Sequence, residues 1–345
     1  ATPEKSTIRF WKPFRKDVGI KRISVFRQLG GVGDCLMLSP VFLGLKEKYG
    51  KDCHITVATD SHYLGGCLPH LFRHMAHVDE VVRVNPFEFV CSPTRWVRES
   101  YRNTPNHIIP YCITHTDLVI DLNVVCALTE TAQQPAVTKH RTDIWCEAAG
   151  VNPSCKRPSL IITDEELEFG RNWCNEKLGE GLRVGVVLSA ADPRRTWSHA
   201  GALAHELACR GYKVTTIDLL NTVDGITPMI GMPIIKLAAT IAHLDAVVSP
   251  DTGILHVAGT LGVPVLGIFG PTDPELRMRE YAGSYVNPQA IVDCSPCWYL
   301  YGCTKKNPKH KDRWFPCLNK LTPQFALHEL EAMLKRFGKN LPSNS

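Results

Sequence analysis

The chain has 345 residues, 44% of them hydrophobic and 21% charged, with a formal net charge of +5. That length exceeds what one hydrophobic core usually serves and predicts two domains, and no apolar run approaches the ~20 residues that a spanning helix requires. The charge is too small to demonstrate a nucleic-acid or membrane surface, and the fourteen cysteines, ten of them scattered singly from Cys35 to Cys209, read as reduced thiols of a cytoplasmic protein.

At the start of the chain Lys5, Arg9, Lys12, Arg15 and Lys16 are followed by no apolar region or small-residue cleavage site, so the expectation is that nothing directs secretion. Residues 23–29 predict a strand that runs into Gly30, Gly31, Val32, Gly33 and Asp34. A helical pattern follows with apolar residues at Leu36, Leu38, Val41, Phe42 and Leu45. Further strands are predicted at 54–58, 80–84 and 117–121, with intervals long enough to cross back over a sheet, so this half reads as α/β with parallel strands. The same grammar restarts with strands at 182–188 and 213–217, a helix between them, a helix at 234–243, and strands at 246–249 and 263–269. The polar stretch 163–181 is the best boundary. We place the switch near residue 170, giving an N-terminal domain 1–170 and a C-terminal domain 171–345. Residues 294–318 depart from the pattern, being rich in Cys, Trp, Pro, Lys and Arg, and a helix is predicted to close the chain at 323–337.

Ligands of open α/β sheets bind at the carboxyl ends of strands, so the loops there are the places to look. The glycine loop before Asp34 is a poor dinucleotide fingerprint, because Leu36 stands where the third glycine belongs. This counts against a nicotinamide-dependent dehydrogenase, and the plainer reading makes Asp34 a helix N-cap. A second loop carries Ser249, Pro250, Asp251, Thr252, Gly253 and His256; the unpaired N–H groups and positive dipole of a helix start there suit a diphosphate. Taken alone, Asp251 can equally be a cap and His256 an interior histidine. The third loop holds Ser189, Arg194 and Arg195, and adjacent arginines at a strand end can form bidentate bonds to phosphate oxygens, although two loop arginines are more often merely solvated.

Taken in order, these residues resemble glycosyltransferase family 9, the heptosyltransferase family. The resemblance rests on Arg27 through Asp34 followed by Leu38, Ser39 and Pro40, on Arg195, Thr196 and Trp197, and on Asp251 through His256 with Gly262, Val263, Pro264 and Phe269 through Asp273. It implies a GT-B fold, with two Rossmann-like domains facing across a cleft. It also implies inverting transfer of a sugar from a nucleotide-diphosphate donor such as ADP-heptose, with no catalytic metal. By the same resemblance Asp34 is the general base, Arg195 takes the phosphate-contacting basic position, and Asp251, Thr252, Gly253 and His256 lie in the donor pocket; Gly33, Ser189 and Arg194, from the strand-end loops, complete the expected donor site. The family often has Lys at the position of Arg195, and the doubled glycine before Val32 replaces a more usual Ser-containing turn. Donor identity is therefore open. The acceptor is unknown, a polysaccharide, a protein or another molecule; residues 85–134 are expected to choose it, and homo-oligomer formation is left open.

Cys294, Cys297, Cys303 and Cys317 supply four soft ligands, the number that a tetrahedral zinc or iron site takes. The expectation is one structural iron or zinc in a cysteine-rich insertion at 294–317, and the autotransporter heptosyltransferases that the chain resembles bind iron at such a set. Four unrelated thiols are the alternative. The segment also interleaves Trp298, Tyr299, Tyr301 and Trp314 with Lys305, Lys306, Lys309, Lys311 and Arg313. The rival reading from another class is therefore a non-catalytic, metal-stapled binding or assembly protein that keeps the fold and holds nucleic acid or a partner there.

Overall fold

The computed structural model describes residues 19–27, 30–60, 66–84, 116–134, 136–286, 292–298, 303 and 315–342. The N-terminal basic residues, most of the expected acceptor loops within 85–134, and Tyr299, Tyr301 and the basic residues 305–313 with Trp314 lie outside these. No helix among the described residues is long and apolar enough to cross a membrane.

The chain divides into two units, one formed by 1–132 with 140–161 and the other by 133–139 with 162–345. In the first, β1 (Arg22–Phe26) is followed by α1 (Val32–Leu38), α2 (Pro40–Tyr49), β2 (His54–Asp60), α3 (Cys67–Arg73), β3 (Glu80–Val84), β4 (Leu118–Asp121), α4 (Val125–Gln133) and α5 (Arg141–Ala149). The strands pair in parallel in the order β3-β2-β1-β4. A parallel strand covered on both faces is buried in succession rather than alternation, and Ile23, Ser24, Val25 and Phe26 of β1 and Ile55, Thr56, Val57 and Ala58 of β2 are accordingly all buried, with Leu36, Met37 and Leu45 of the helices.

The second unit begins with α6 (Asp164–Lys177), whose start is a reciprocal cap in which Thr163 and Glu166 bond each other's backbone N–H groups. This helix carries Gly170, where an added Cβ would lie 2.2 Å from the Ala239 carbonyl oxygen, so α6 packs against its neighbour at backbone distance and lies with the second unit. The remaining elements are β5 (Arg183–Val187), α7 (Ala200–Cys209), β6 (Lys213–Ile217), β7 (Thr227–Met229), α8 (Ile234–Ile241), β8 (Ala246–Pro250), α9 (Gly253–Thr260), β9 (Val265–Ile268), α10 (Glu275–Met278), β10 (Gly283–Val286), α11 (Pro316–Asn319) and α12 (Pro323–Arg336). Its parallel sheet has the order β10-β9-β8-β5-β6-β7. Val184, Val186, Leu203, Leu207, Val248, Leu266, Ile268, Leu330 and Leu334 share its core.

Both orders contain a switch point, where successive crossovers leave in opposite directions and open a crevice at the strand ends. In the first unit it lies between β1 and β4. In the second it lies between β5 and β8.

Candidate functional site

The loop after β1 puts Asp34 at the first of these switch points. Gly30 has φ of +125°, and a Cβ there would sit 2.1 Å from the Arg27 guanidinium, so only glycine lets the chain turn from strand to helix over that side chain. Gly31 is the N-cap of α1, and Asp34 stands three residues later, its Oδ2 accepting from the Gly31 N–H at 2.9 Å. The expectation that Asp34 is itself the N-cap is thereby corrected. It is the reciprocal member of the cap, placed where a carboxylate faces the positive end of the helix. Gly33 is buried in the same first turn. Arg27, itself buried, donates to the carbonyls of Leu122 and Asn123 beyond β4 and lies over the Trp145 ring, which ties the two strand ends together.

The other oxygen of Asp34 accepts from Nη1 of Arg141, the first residue of α5, and the same guanidinium donates through Nε and Nη2 to both oxygens of Glu130 on α4, each at 2.7 Å. Burial works against the Arg141 charge, but Asp34 and Glu130 together hold it well above its ordinary value. Neither Arg141 nor Glu130 was legible as a site residue, because each lies some hundred positions from Asp34 in sequence and neither sits in a strand-end loop of recognisable composition.

At the second switch point the loops after β5 and β8 meet. Arg195 donates through Nη1 to the Asp251 carbonyl at 2.8 Å, bridging them. Its Nε–H is buried and has no hydrogen-bond partner among the described residues. Arg194, its neighbour, turns onto Asp192 through Nε and Nη2 at 2.6–3.1 Å. Ser189 bonds Asp218 at the end of β6 at 2.5 Å, and the Thr252 hydroxyl, on the N-cap of α9, lies 3.0 Å from the Ser249 hydroxyl. Gly253 begins that helix. Trp197 is core: it is 1% exposed, and its indole N–H donates to the Leu321 carbonyl, anchoring the arginine loop.

Asp251 is a buried node. Thr272 donates to its Oδ2 at 2.9 Å, while Arg195, His256 and Arg277 stand 3.7–3.8 Å from its oxygens. Burial opposes its charge, yet the neighbouring His256 and the guanidiniums of Arg277 and Arg195 outweigh that and hold the carboxyl well below the usual range. His256 is fixed further by the Tyr281 hydroxyl at 3.1 Å. Arg277, 3% exposed, lies over the Trp298 ring. The sequence indicated Asp251 and His256 but not the partners that Thr272, Arg277 and Tyr281 provide.

Trp298 follows directly on Cys297. Of the cysteine set, Cys294 is exposed and Cys297, Cys303 and Cys317 are half-buried. The Cys317 thiol is pushed up to about 12 by burial, with the thiols of Cys297, Cys303 and Cys294 adding to it. The donor chemistry fits iron or zinc. Among the described residues, however, no group of three or more His, Cys, Asp or Glu side chains is arranged to hold a metal ion.

Residues 227–306, which include the Asp251 loop, match the model of glycosyltransferase family 9 (heptosyltransferase). Over 105 residues the chain is 34% identical to lipopolysaccharide heptosyltransferase 1 of Pseudomonas aeruginosa, a match that spans 28% of this chain and 29% of that relative's length. Among solved structures, the glycosyl transferase family 9 protein of Veillonella parvula superposes with a TM-score of 0.67 at 17% identity, covering 92% of this chain and 97% of that one. The dodecameric iron-containing heptosyltransferase TibC of enterotoxigenic Escherichia coli, solved with ADP-D-beta-D-heptose, gives 0.62 at 15% identity over 92% of this chain and 77% of that one. The fold is GT-B. Two parallel-sheet α/β units were expected from the strand pattern, and the solved structures bear that out.

Proposed function

We propose that the protein is a glycosyltransferase that moves heptose from ADP-heptose to an acceptor hydroxyl, with inversion at the anomeric carbon. The observation that carries this reading is the unpaired, buried Nε–H of Arg195 beside the first turn of α9. A buried donor without a partner costs about 1–3 kcal/mol, and a diphosphate at that helix start would satisfy it. The family match over residues 227–306, which hold that helix start, and the ADP-heptose bound by TibC support this ligand class.

In this reading Arg195 grips the diphosphate and Thr252 with the helix start at Gly253 completes its cradle. Asp251 and His256 hold those elements in place from the buried side. Asp34 takes the proton from the attacking hydroxyl. The electron pair of that oxygen forms the new glycosidic bond as the bond from the anomeric carbon to the diphosphate breaks, and the charge leaves on ADP. The paired Arg194 plays a smaller part than Arg195. We further propose a cytoplasmic enzyme whose cysteines 294, 297, 303 and 317 hold one structural iron or zinc, by likeness to iron-containing TibC. A closed four-thiolate site has no open position for substrate, so such a metal would staple the segment and take no part in transfer.

Calorimetric titration with ADP-heptose, ADP, and UDP- and GDP-sugars tests the proposal. ADP-heptose is expected to bind most tightly and to be turned over to ADP with water as the slow acceptor. Equal indifference to all of them would contradict it.

A further inference from the structure

A general base must be held in one orientation while keeping enough affinity for a proton, and a single arginine on a carboxylate serves the first need at the expense of the second. Asp34 does not face a single arginine. Its partner Arg141 is engaged along its Nε–Nη2 edge by both oxygens of Glu130, a residue 7% exposed that sits behind the guanidinium. Thr142, the next residue, donates to the Met37 carbonyl at 2.7 Å, which fixes the start of α5 against α1 and thus the direction from which Arg141 reaches Asp34.

Resting on the reading of Asp34 as the base, we propose that Arg141 and Glu130 form a charge-compensated clamp, in which Arg141 is a positioning residue that orients Asp34 and Glu130 offsets the cation so that Asp34 keeps its basicity. Among the described residues, the charged and titratable groups around Asp34 include Arg27 beyond β1, Cys35 on α1 with Cys67 of α3 beside it, Cys126 and Glu130 on α4, and Arg141 on α5. Burial raises all three thiols, that of Cys35 to about 12, so they stay neutral across the working range. Arg27 is common to every variant below. Arg141 and Glu130 are the two charges that the variants below alter.

The clamp makes opposite predictions for its two members, which a plain structural staple does not. The readout is the pH profile of ADP release from ADP-heptose with water as acceptor, whose acid limb marks protonation of the base. Arg141→Met leaves Glu130 facing Asp34 and should move the limb up by about one pH unit, so that turnover on the acid side of the limb falls roughly tenfold. Glu130→Gln leaves the cation uncompensated and should move the limb down by a similar amount, with a few-fold lower plateau because the base is weaker. Should Arg141→Met fail to fold, the pair Arg141→Met with Glu130→Gln removes both charges. That double variant should return the limb close to its wild-type position while keeping KM for ADP-heptose and losing roughly tenfold in kcat, the part that orientation supplies. A limb that stays in place in Glu130→Gln, and in Arg141→Met where that variant folds, while Asp34→Asn abolishes turnover, would overturn the clamp and leave the base intact. Wild-type turnover in Asp34→Asn would instead overturn the reading on which the clamp rests.

Discussion

Asp34 and Asp251 occupy equivalent places in their units: each lies beyond a strand at the switch point of a parallel sheet, next to a helix start. Their surroundings differ. The Asp34 side chain is 21% exposed and has an arginine with its own counter-ion beside it, whereas that of Asp251 is 6% exposed and is enclosed by Arg195, Arg277, His256 and Thr272. A carboxylate that reaches solvent can exchange a proton with a substrate. One shut in by that many partners can only organise them. The roles proposed for the two aspartates differ accordingly, and the difference in burial is what separates them.

The largest expected effect follows from breaking the buried node. Asp251→Asn leaves Arg277 in the interior without its anion and should destabilise the protein by about 3–5 kcal/mol, read as a lowered melting temperature. The native carboxyl lies below its unfolded value, so its contribution is fully present above about pH 4 and is lost as pH falls further toward the native value. Melting followed from pH 6 to pH 2.5 should accordingly fall steeply in the wild type and less steeply in Asp251→Asn. Parallel curves would show that Asp251 is not held by those partners.

A smaller change sharpens the contrast on the ligand side. Arg195→Ala removes the proposed charge-assisted phosphate contact and should weaken ADP-heptose binding roughly tenfold or more, about 1.5–3 kcal/mol. Arg194→Ala should change it far less, since that guanidinium is already on Asp192. If calorimetry finds the effect in Arg194 alone, the loop holds the donor by its other arginine. The smallest effect is expected at the cysteines. Cys297→Ser should lower the melting temperature and the metal content by elemental analysis while leaving turnover per folded molecule nearly unchanged. A wild-type protein that is metal-free and fully folded after reducing purification would remove the staple.

Much of this architecture was legible because strand, glycine loop and helix follow one another locally. Buried parallel strands such as Arg183–Val187 and Ala246–Pro250 announce themselves as apolar runs, and the positions of the loops after them follow from that pattern. What could not be read were the contacts that close over distance. Arg141 meets Asp34 from 107 positions away, Arg277 reaches Asp251 from the far side of β9, and nothing in composition or spacing marks either arginine. The role given to Asp34 as N-cap missed by three residues, because Gly31 and Asp34 both suit a helix start and only the backbone angles decide between them.

The central claim is that Asp34 is the base in transfer from ADP-heptose. It is tested most directly by Asp34→Asn, which keeps size and much of the capping capacity but removes basicity. The account predicts unchanged folding and ADP-heptose affinity with ADP release slowed by about 10²- to 10⁴-fold. A variant that binds the donor and turns it over near the wild-type rate would contradict it and leave Asp34 as a capping residue only.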